Sequence, residues 1–420
     1  MTTATRRSAA LLAAATLTAL LAASPAAARP AETPGPVDID GSGECTFPMK
    51  EQIEGIPWSL QRVLLDELWQ DTKGKGVRVA VIDTGVDDVN PQLKAAVDAK
   101  AGKDYLKPDK ESPGGGDDQR GKTDGTVDLV GHGTKVAGII AARPRKGTGF
   151  VGLAPEATII PIRQNDEKNS GKSDSMAEAV KHAVAKGADV INISQDTTQP
   201  LSPQSSLGRA VAEAIDAGVV VVASAGNDGM DGKLKDTYPA AFPGVLAVAS
   251  SDRNNERAAF SQAGTFVGVA APGVDIVSTV PGGGQCVDNG TSFSAPYVAG
   301  VAALLKAKYP DWKPAQIVTR IEQTAIRSIN GRDNYVGWGV VDPVRALADG
   351  PVPPLTGPTP DPGPPKPPAP EPAHLALSET PQERAERLAT YALGIGAVLV
   401  AVVAGVAVVI RDSRRRRGTA

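Results

Sequence analysis

Three short, glycine-flanked stretches carry the groups that nucleophilic acyl chemistry needs: Asp83 in VAVIDTGVD, His132 in GHGTKVAG and Ser292 in GTSFSAPYVAG. A serine hydroxyl is too weakly acidic to attack at neutral pH without a base, and histidine is the usual base. The chain has three histidines. His374 lies in a proline-rich tract and His182 in a run of alanine, lysine and valine that reads as a helix, so a packed or solvated role suits both. His132 is bracketed by Gly131 and Gly133, which permit close approach of other groups. Asp83 follows four apolar residues, and a carboxylate at the end of a buried strand is costly unless a metal, a helix cap or an imidazole N–H meets it. Pro296 cannot lie deep in a helix, so the helix through YVAGVAALLKAKY must begin within about one turn before it. That puts Ser292 near a helix N-terminus, where backbone N–H groups favour developing negative charge. Ser294 is expected to satisfy backbone groups in the first turn.

Each stretch alone has a plainer explanation. GHG can be only a turn, the two serines can both be caps, and a DTG triplet also occurs in aspartic proteases. Those need two such aspartates, and no second DTG or DSG is present.

The elements that must position these residues are legible as alternation. VRVAVIDTG (77–85), ATIIPIRQ (157–164), ADVINIS (188–194), VVVVASAGN (219–227) and VLAVASS (245–251) are short β-branched runs, continuous enough to be strands buried on both faces. MAEAVKHAVAKGA (176–188) and SLGRAVAEAIDAG (206–218) carry helical periodicity and end at glycine. The pattern predicts an α/β fold, a parallel sheet flanked by helices with right-handed crossovers. Ligands of such sheets gather at the carboxyl ends of the strands, which is where Asp83, Ser194 and Asn227 fall.

Together, VAVIDTGV, GHGTKVAG and GTSFSAPYVAG, in that chain order, with ASAGND between the second and third, resemble the subtilase family of serine proteases over about 76–348. The resemblance implies a subtilisin-like fold and a serine endopeptidase in which Asp83, His132 and Ser292 form the triad. It implies that Asn227 and the Ser292 N–H stabilise the oxyanion, and that Ser194, Ala225 and Gly226 bind the substrate. No cofactor and no metal are expected, since no carboxylate cluster has the spacing of a calcium loop. The chain departs from the pattern at Gln195 and Asp196, where many subtilases carry a small apolar pair, which points to narrow specificity. The charged, glycine-rich insert 107–128 is expected to be a mobile surface loop.

The layout is most similar to the mycosins, membrane-anchored subtilases associated with type VII secretion. Arg6, Arg7, an apolar run and Ala26-Ala27-Ala28 read as a signal peptide, 1–28. An extension, 29–75, too short for a folded inhibitory prodomain with a linker, leads into the catalytic domain, 76–349. The stretch 350–387 is a proline-rich linker, a semi-rigid spacer. Residues 388–410 form a transmembrane helix, with no charged residue from Ala389 to Ile410 and so roughly 33 Å of helix against a hydrocarbon core of about 30 Å. The arginine-rich tail 411–420 is expected in the cytoplasm, which puts the catalytic domain on the extracytoplasmic side. The two cysteines, Cys45 and Cys286, are expected to form one disulfide, the alternative being buried free thiols.

The expected partners are protein or peptide substrates, the membrane, and the type VII secretion machinery. A net charge of −3 gives no electrostatic case for nucleic acid. A second reading, a structural or stabilising subunit of a secretion complex, has the fold and the span matter more than hydrolysis.

Overall fold

The computed structural model describes residues 45–106, 121–166, 171–360 and 379–417. The expected signal peptide, His374 and residues 107–120 of the insert lie outside them. The chain forms two compact units, Met1–Asp361 and Pro362–Ala420.

The first unit is built on a seven-stranded sheet: β1 Arg78–Asp83, β2 Lys103–Asp104, β3 Thr158–Arg163, β4 Val190–Ile193, β5 Val220–Ser224, β6 Leu246–Ser251 and β7 Val267–Pro272. Their order is β2-β3-β1-β4-β5-β6-β7, and every neighbouring pair is parallel. Alternate residues of each strand face opposite layers. Val79, Val81, Ile159 and Val222 pack against the helices His132–Ala141 and Thr291–Lys308. Ala80, Ile82, Ile160 and Ile193 pack against the helices Ser173–Ala185 and Ser206–Asp216. The chain steps outward from β1 to β3, then returns past β1 to β4. The direction of growth reverses there, so the carboxyl ends of β1 and β4 open the crevice in which such sheets place their sites.

The five expected strands are present, and the two expected helices lie within three residues of their expected limits. Gly187 (φ +70°) and Gly218 (φ +92°) follow those helices in the left-handed conformation that ends them. The reading did not anticipate β7, whose VGVAAP mixes glycine and proline into a short run, nor the antiparallel hairpin of β8 Ile276–Thr279 and β9 Gln285–Asp288. Two further expectations need correction. Residues 121–128 of the insert are held in the fold: Thr123 O accepts from Asp104 N, and Gly125 O from Val86 N, both at 2.9 Å. The proline-rich stretch does not leave the domain at 350, since Thr359 N donates to Gln323 Oε1 at 2.8 Å and Gln316 Nε2 to Pro353 O at 3.3 Å.

Cys45 and Cys286 form a disulfide. It fastens the extension along the β8–β9 hairpin, where Met49 N donates to Gly283 O at 3.0 Å and Ile53 N to Gln285 Oε1 at 2.9 Å. The bridge spans a sequence separation of 241 residues, for which a chain-entropy account gives an upper figure of roughly 5 kcal/mol. Replacing both cysteines with serine is expected to cost about 2–5 kcal/mol, read from the denaturant midpoint of the purified chain. An unchanged midpoint would show that the bridge adds no stability.

In the second unit the helix Pro381–Arg417 contains the expected span and exceeds it at both ends. Thr380 and Glu383 start it with a capping box: Thr380 N donates to Glu383 Oε2 at 2.9 Å and Glu383 N to Thr380 Oγ1 at 3.2 Å. Among the described residues it is the one helix long and apolar enough to cross a membrane.

Candidate active site

Asp83 is the last residue of β1 and is fully buried. Its Oδ1 accepts from Thr84 N at 2.8 Å and lies 2.7 Å from His132 Nδ1. Its Oδ2 is buried with no hydrogen-bond partner among the described residues. A carboxylate only accepts, so the short contact assigns the proton to Nδ1 and leaves Nε2 as an acceptor. His132 is the first residue of its helix, and its side chain is 26% exposed. Gly133 is what lets the helix start lie against the end of β1, since a Cβ there would stand 2.0 Å from Gly85 O and 3.0 Å from Asp83 Cβ. Gly131 (φ +81°) carries the ring of Phe47, from the extension, on its open face. Burial alone would lower the His132 pKa, but the charge and hydrogen bond of Asp83, helped by Asp128 and opposed by Lys135, leave it raised above 6.5.

Ser292 is the second residue of the helix Thr291–Lys308. Pro296 lacks the N–H that would bond the Ser292 carbonyl four residues back. Ser194 Oγ replaces it, donating to Ser292 O at 2.9 Å, and the Ser292 hydroxyl in turn donates to Ser194 O at 3.1 Å. The Ser194 hydroxyl, itself held by Asn192 Nδ2 at 2.9 Å, is thus committed to the serine helix. No hydrogen bond joins the Ser292 hydroxyl to the imidazole here; the neighbouring Phe293 ring lies 5.5 Å from the His132 ring, centre to centre. The expectation for Ser294 is corrected: its hydroxyl pairs with Ser250 Oγ at 2.8 Å, a cross-link to β6 rather than a cap.

Asn227 follows β5. Its Oδ1 accepts from Thr291 N at 2.9 Å and from Thr291 Oγ1 at 3.0 Å, and Thr291 Oγ1 accepts from Gly226 N at 3.1 Å. The donor at Thr291 N fixes which end of the amide is oxygen. Nδ2 is left without a partner among the described residues, close to Gly290. Ala225 is buried and bonded on both sides of its peptide, N to Val248 O at 2.9 Å and O from Thr237 Oγ1 at 2.8 Å. Gly226 (φ +96°) leaves room for the Asp196 carboxylate, whose Oδ2 would stand 2.9 Å from a Cβ there.

Asp196 is exposed at the rim. The protein still surrounds it closely enough that burial, with the charge of Asp228, pushes its carboxyl up to about 6. A cavity of about 90 Å³ opens beside it, lined by Gln164, Lys172, Met176, Gln195, Asp196 and Tyr238. Gln164 Nε2 donates to Lys172 O at 3.0 Å, while its buried Oε1 has no partner among the described residues.

His182 bonds Ala101 O at 2.8 Å through Nε2, away from this edge. Among the described residues no group of three or more His, Cys, Asp or Glu side chains is placed to hold a metal. Sequence reading missed Asp128, which ends the insert; its place three residues ahead of Gly131, at the turn into the histidine helix, was the one signal that could have found it.

Residues 74–339 match the subtilase (peptidase S8) family. Mycosin-1 of Mycolicibacterium smegmatis is 35% identical over 407 residues, covering 81% of this chain and 84% of its own. Among solved structures, MycP1 from the ESX-1 type VII secretion system aligns with a TM-score of 0.63 at 34% identity, over 74% of this chain and 90% of that one. A chain of an intact ESX-5 inner membrane complex aligns with a TM-score of 0.61 at 31% identity, over 87% of this chain and 93% of that one.

Proposed function

The chain belongs to the subtilase family, and on that premise we propose that this subtilisin-like serine endopeptidase works through Asp83, His132, Ser292 and Asn227. The observation that carries the reading is the 2.7 Å contact of Asp83 with His132 Nδ1 beside the start of the helix that bears Ser292. In this mechanism the Ser292 hydroxyl leaves Ser194 O and turns to Nε2. His132 accepts its proton as the oxygen attacks a peptide carbonyl, Asp83 stabilises the imidazolium, and His132 returns the proton to the leaving amine. The tetrahedral oxyanion is met by the Ser292 N–H and Asn227 Nδ2, the amide end that Thr291 leaves unbonded.

Asn227→Ala is expected to lower kcat by about 10²–10³-fold at little-changed KM in a peptide assay, a magnitude carried over from subtilisin, of the same family. Near-unchanged turnover would reject the role. General-base catalysis needs neutral imidazole, so activity falls as pH drops through the His132 pKa. Because that pKa is raised, the acid limb of kcat/KM is expected above 6.5. A limb below 6.5 would contradict the electrostatic account of the site.

In this reading the arginine-flanked helix anchors the protein, the proline-rich stretch beyond Thr359 links it to the catalytic domain, and the catalytic domain faces outward. Its substrates are a limited set of secreted proteins linked to type VII secretion. The polar rim of Gln195 and Asp196, with the unpartnered Gln164 oxygen in the cavity behind it, supports narrow selection, since a bound apolar side chain would leave those groups unpaired. Cleavage profiling of the full-length chain on a peptide library tests it; indiscriminate cleavage would refute narrow selection.

Similarity to a chain of the ESX-5 inner membrane complex favours a second role, as a structural or stabilising subunit of a secretion complex. Secretion sustained by Ser292→Ala, but lost when the chain is deleted, would establish that role apart from hydrolysis.

A further inference from the structure

A second carboxylate, Asp128, lies behind the Asp83–His132 pair. Asp128 is buried just ahead of the histidine helix, and donors fill both of its oxygens. Oδ1 accepts from Gly131 N at 2.7 Å, Thr84 Oγ1 at 2.9 Å and Val130 N at 3.2 Å. Oδ2 accepts from Thr134 Oγ1 at 2.6 Å and Thr134 N at 2.8 Å. Thr84 Oγ1 also accepts from Gly133 N, and Thr134 Oγ1 from Asp87 N, each at 3.0 Å, and facing a carboxylate both hydroxyls give their protons to Asp128. Burial is the larger effect and raises the Asp128 carboxyl above the usual range, and the bonds from Thr134, Gly131 and Thr84 offset only part of it. Against that burial, the geometry favours the ionised form: each oxygen accepts from a backbone N–H that can only donate, Gly131 N on Oδ1 and Thr134 N on Oδ2.

We propose that Asp128 is a positioning residue for the Asp83–His132 pair, tying the end of β1, through Thr84, to the first turn of the histidine helix, through Gly131 and Thr134. The proposal rests on the reading of His132 as the base. The groups that bear on the imidazole charge are few. Asp83 and Asp128 favour the cation, and Lys135 on the same helix opposes it, itself paired with Asp288 of β9 at 2.6 Å. Phe47 and Phe293 add no charge. An amide cannot take the place of Asp128, because both oxygens accept from backbone N–H groups and an amide has one acceptor: its NH₂ must confront either Gly131 or Thr134.

The test uses the full-length chain, with folded protein counted by thermal unfolding and active sites by fluorophosphonate. Asp128→Asn is expected to lower kcat by about 10²-fold with KM within about threefold, the scale of a small misplacement of catalytic groups. It is also expected to move the acid limb of kcat/KM to lower pH, because a negative charge near the imidazolium is gone. Thr84→Val keeps the charge but cuts the tie to β1, so kcat should fall while the acid limb stays in place. A kcat per active site that is unchanged in Asp128→Asn, or an acid limb that does not move, overturns the proposal. If Asp128→Asn does not fold, Thr84→Val decides alone, and unchanged kcat there overturns the proposal too. Hydrolysis retained by Ser292→Ala would instead remove the reading on which it rests.

Discussion

Replacing Ser292 with alanine is expected to lower kcat for peptide hydrolysis by about 10⁶-fold, a scale set by subtilisin itself and carried over to a chain of the same family. The loss follows because the hydroxyls of two nearby serines, Ser194 and Ser294, are committed elsewhere. The Ser194 hydroxyl donates to the Ser292 carbonyl left open by Pro296, and the Ser294 hydroxyl pairs with Ser250. Residual turnover should come from the oxyanion groups and binding alone. The fold should survive, because alanine keeps the helix start and loses only the bond to Ser194 O. Turnover within tenfold of the wild type would show that another residue attacks.

Asp83→Asn is expected to cost about 10⁴-fold in kcat, the scale on which loss of the triad aspartate slows subtilisin. Thr84 N donates to the same oxygen that meets His132, so an asparagine must keep its carbonyl oxygen at that position and turn its NH₂ to the site of Oδ2. The amide oxygen still accepts from Nδ1–H, and the tautomer of His132 is retained. What disappears is the charge that stabilises the imidazolium, while a buried NH₂ gains no acceptor, at a stability cost of about 1–3 kcal/mol. Both a fall in kcat and an acid limb moved to lower pH are therefore expected, measured as kcat/KM against pH. A fall in kcat with the limb unmoved would mean that the aspartate acts through geometry alone.

The strand ends were legible because their signal is local: four apolar residues before Asp83, and β-branched runs before Ser194 and Asn227, place each at one sheet edge. The helix start at Ser292 followed from Pro296 for the same reason. Illegible were the features made by residues far apart in the chain. The exchange of hydrogen bonds between Ser194 and Ser292 joins positions 98 apart, and the Ser250–Ser294 pair joins positions 44 apart. Asp128 was hidden differently, at the end of a charged, glycine-rich insert whose composition reads as a surface loop. Its five donors come from Thr84 and from the turn into the histidine helix, and only the folded chain brings these together. β7 went unread because Gly268 and Pro272 interrupt the run that elsewhere marks a buried strand.

The central claim, that Asp83 and His132 activate Ser292, is tested most directly by treating the full-length chain with a fluorophosphonate and locating the adduct by peptide mass mapping. The account predicts one modified residue, Ser292, with labelling lost in His132→Ala although the hydroxyl is still present. An adduct on Ser194 or Ser294, or a folded wild-type chain left unmodified, would contradict it.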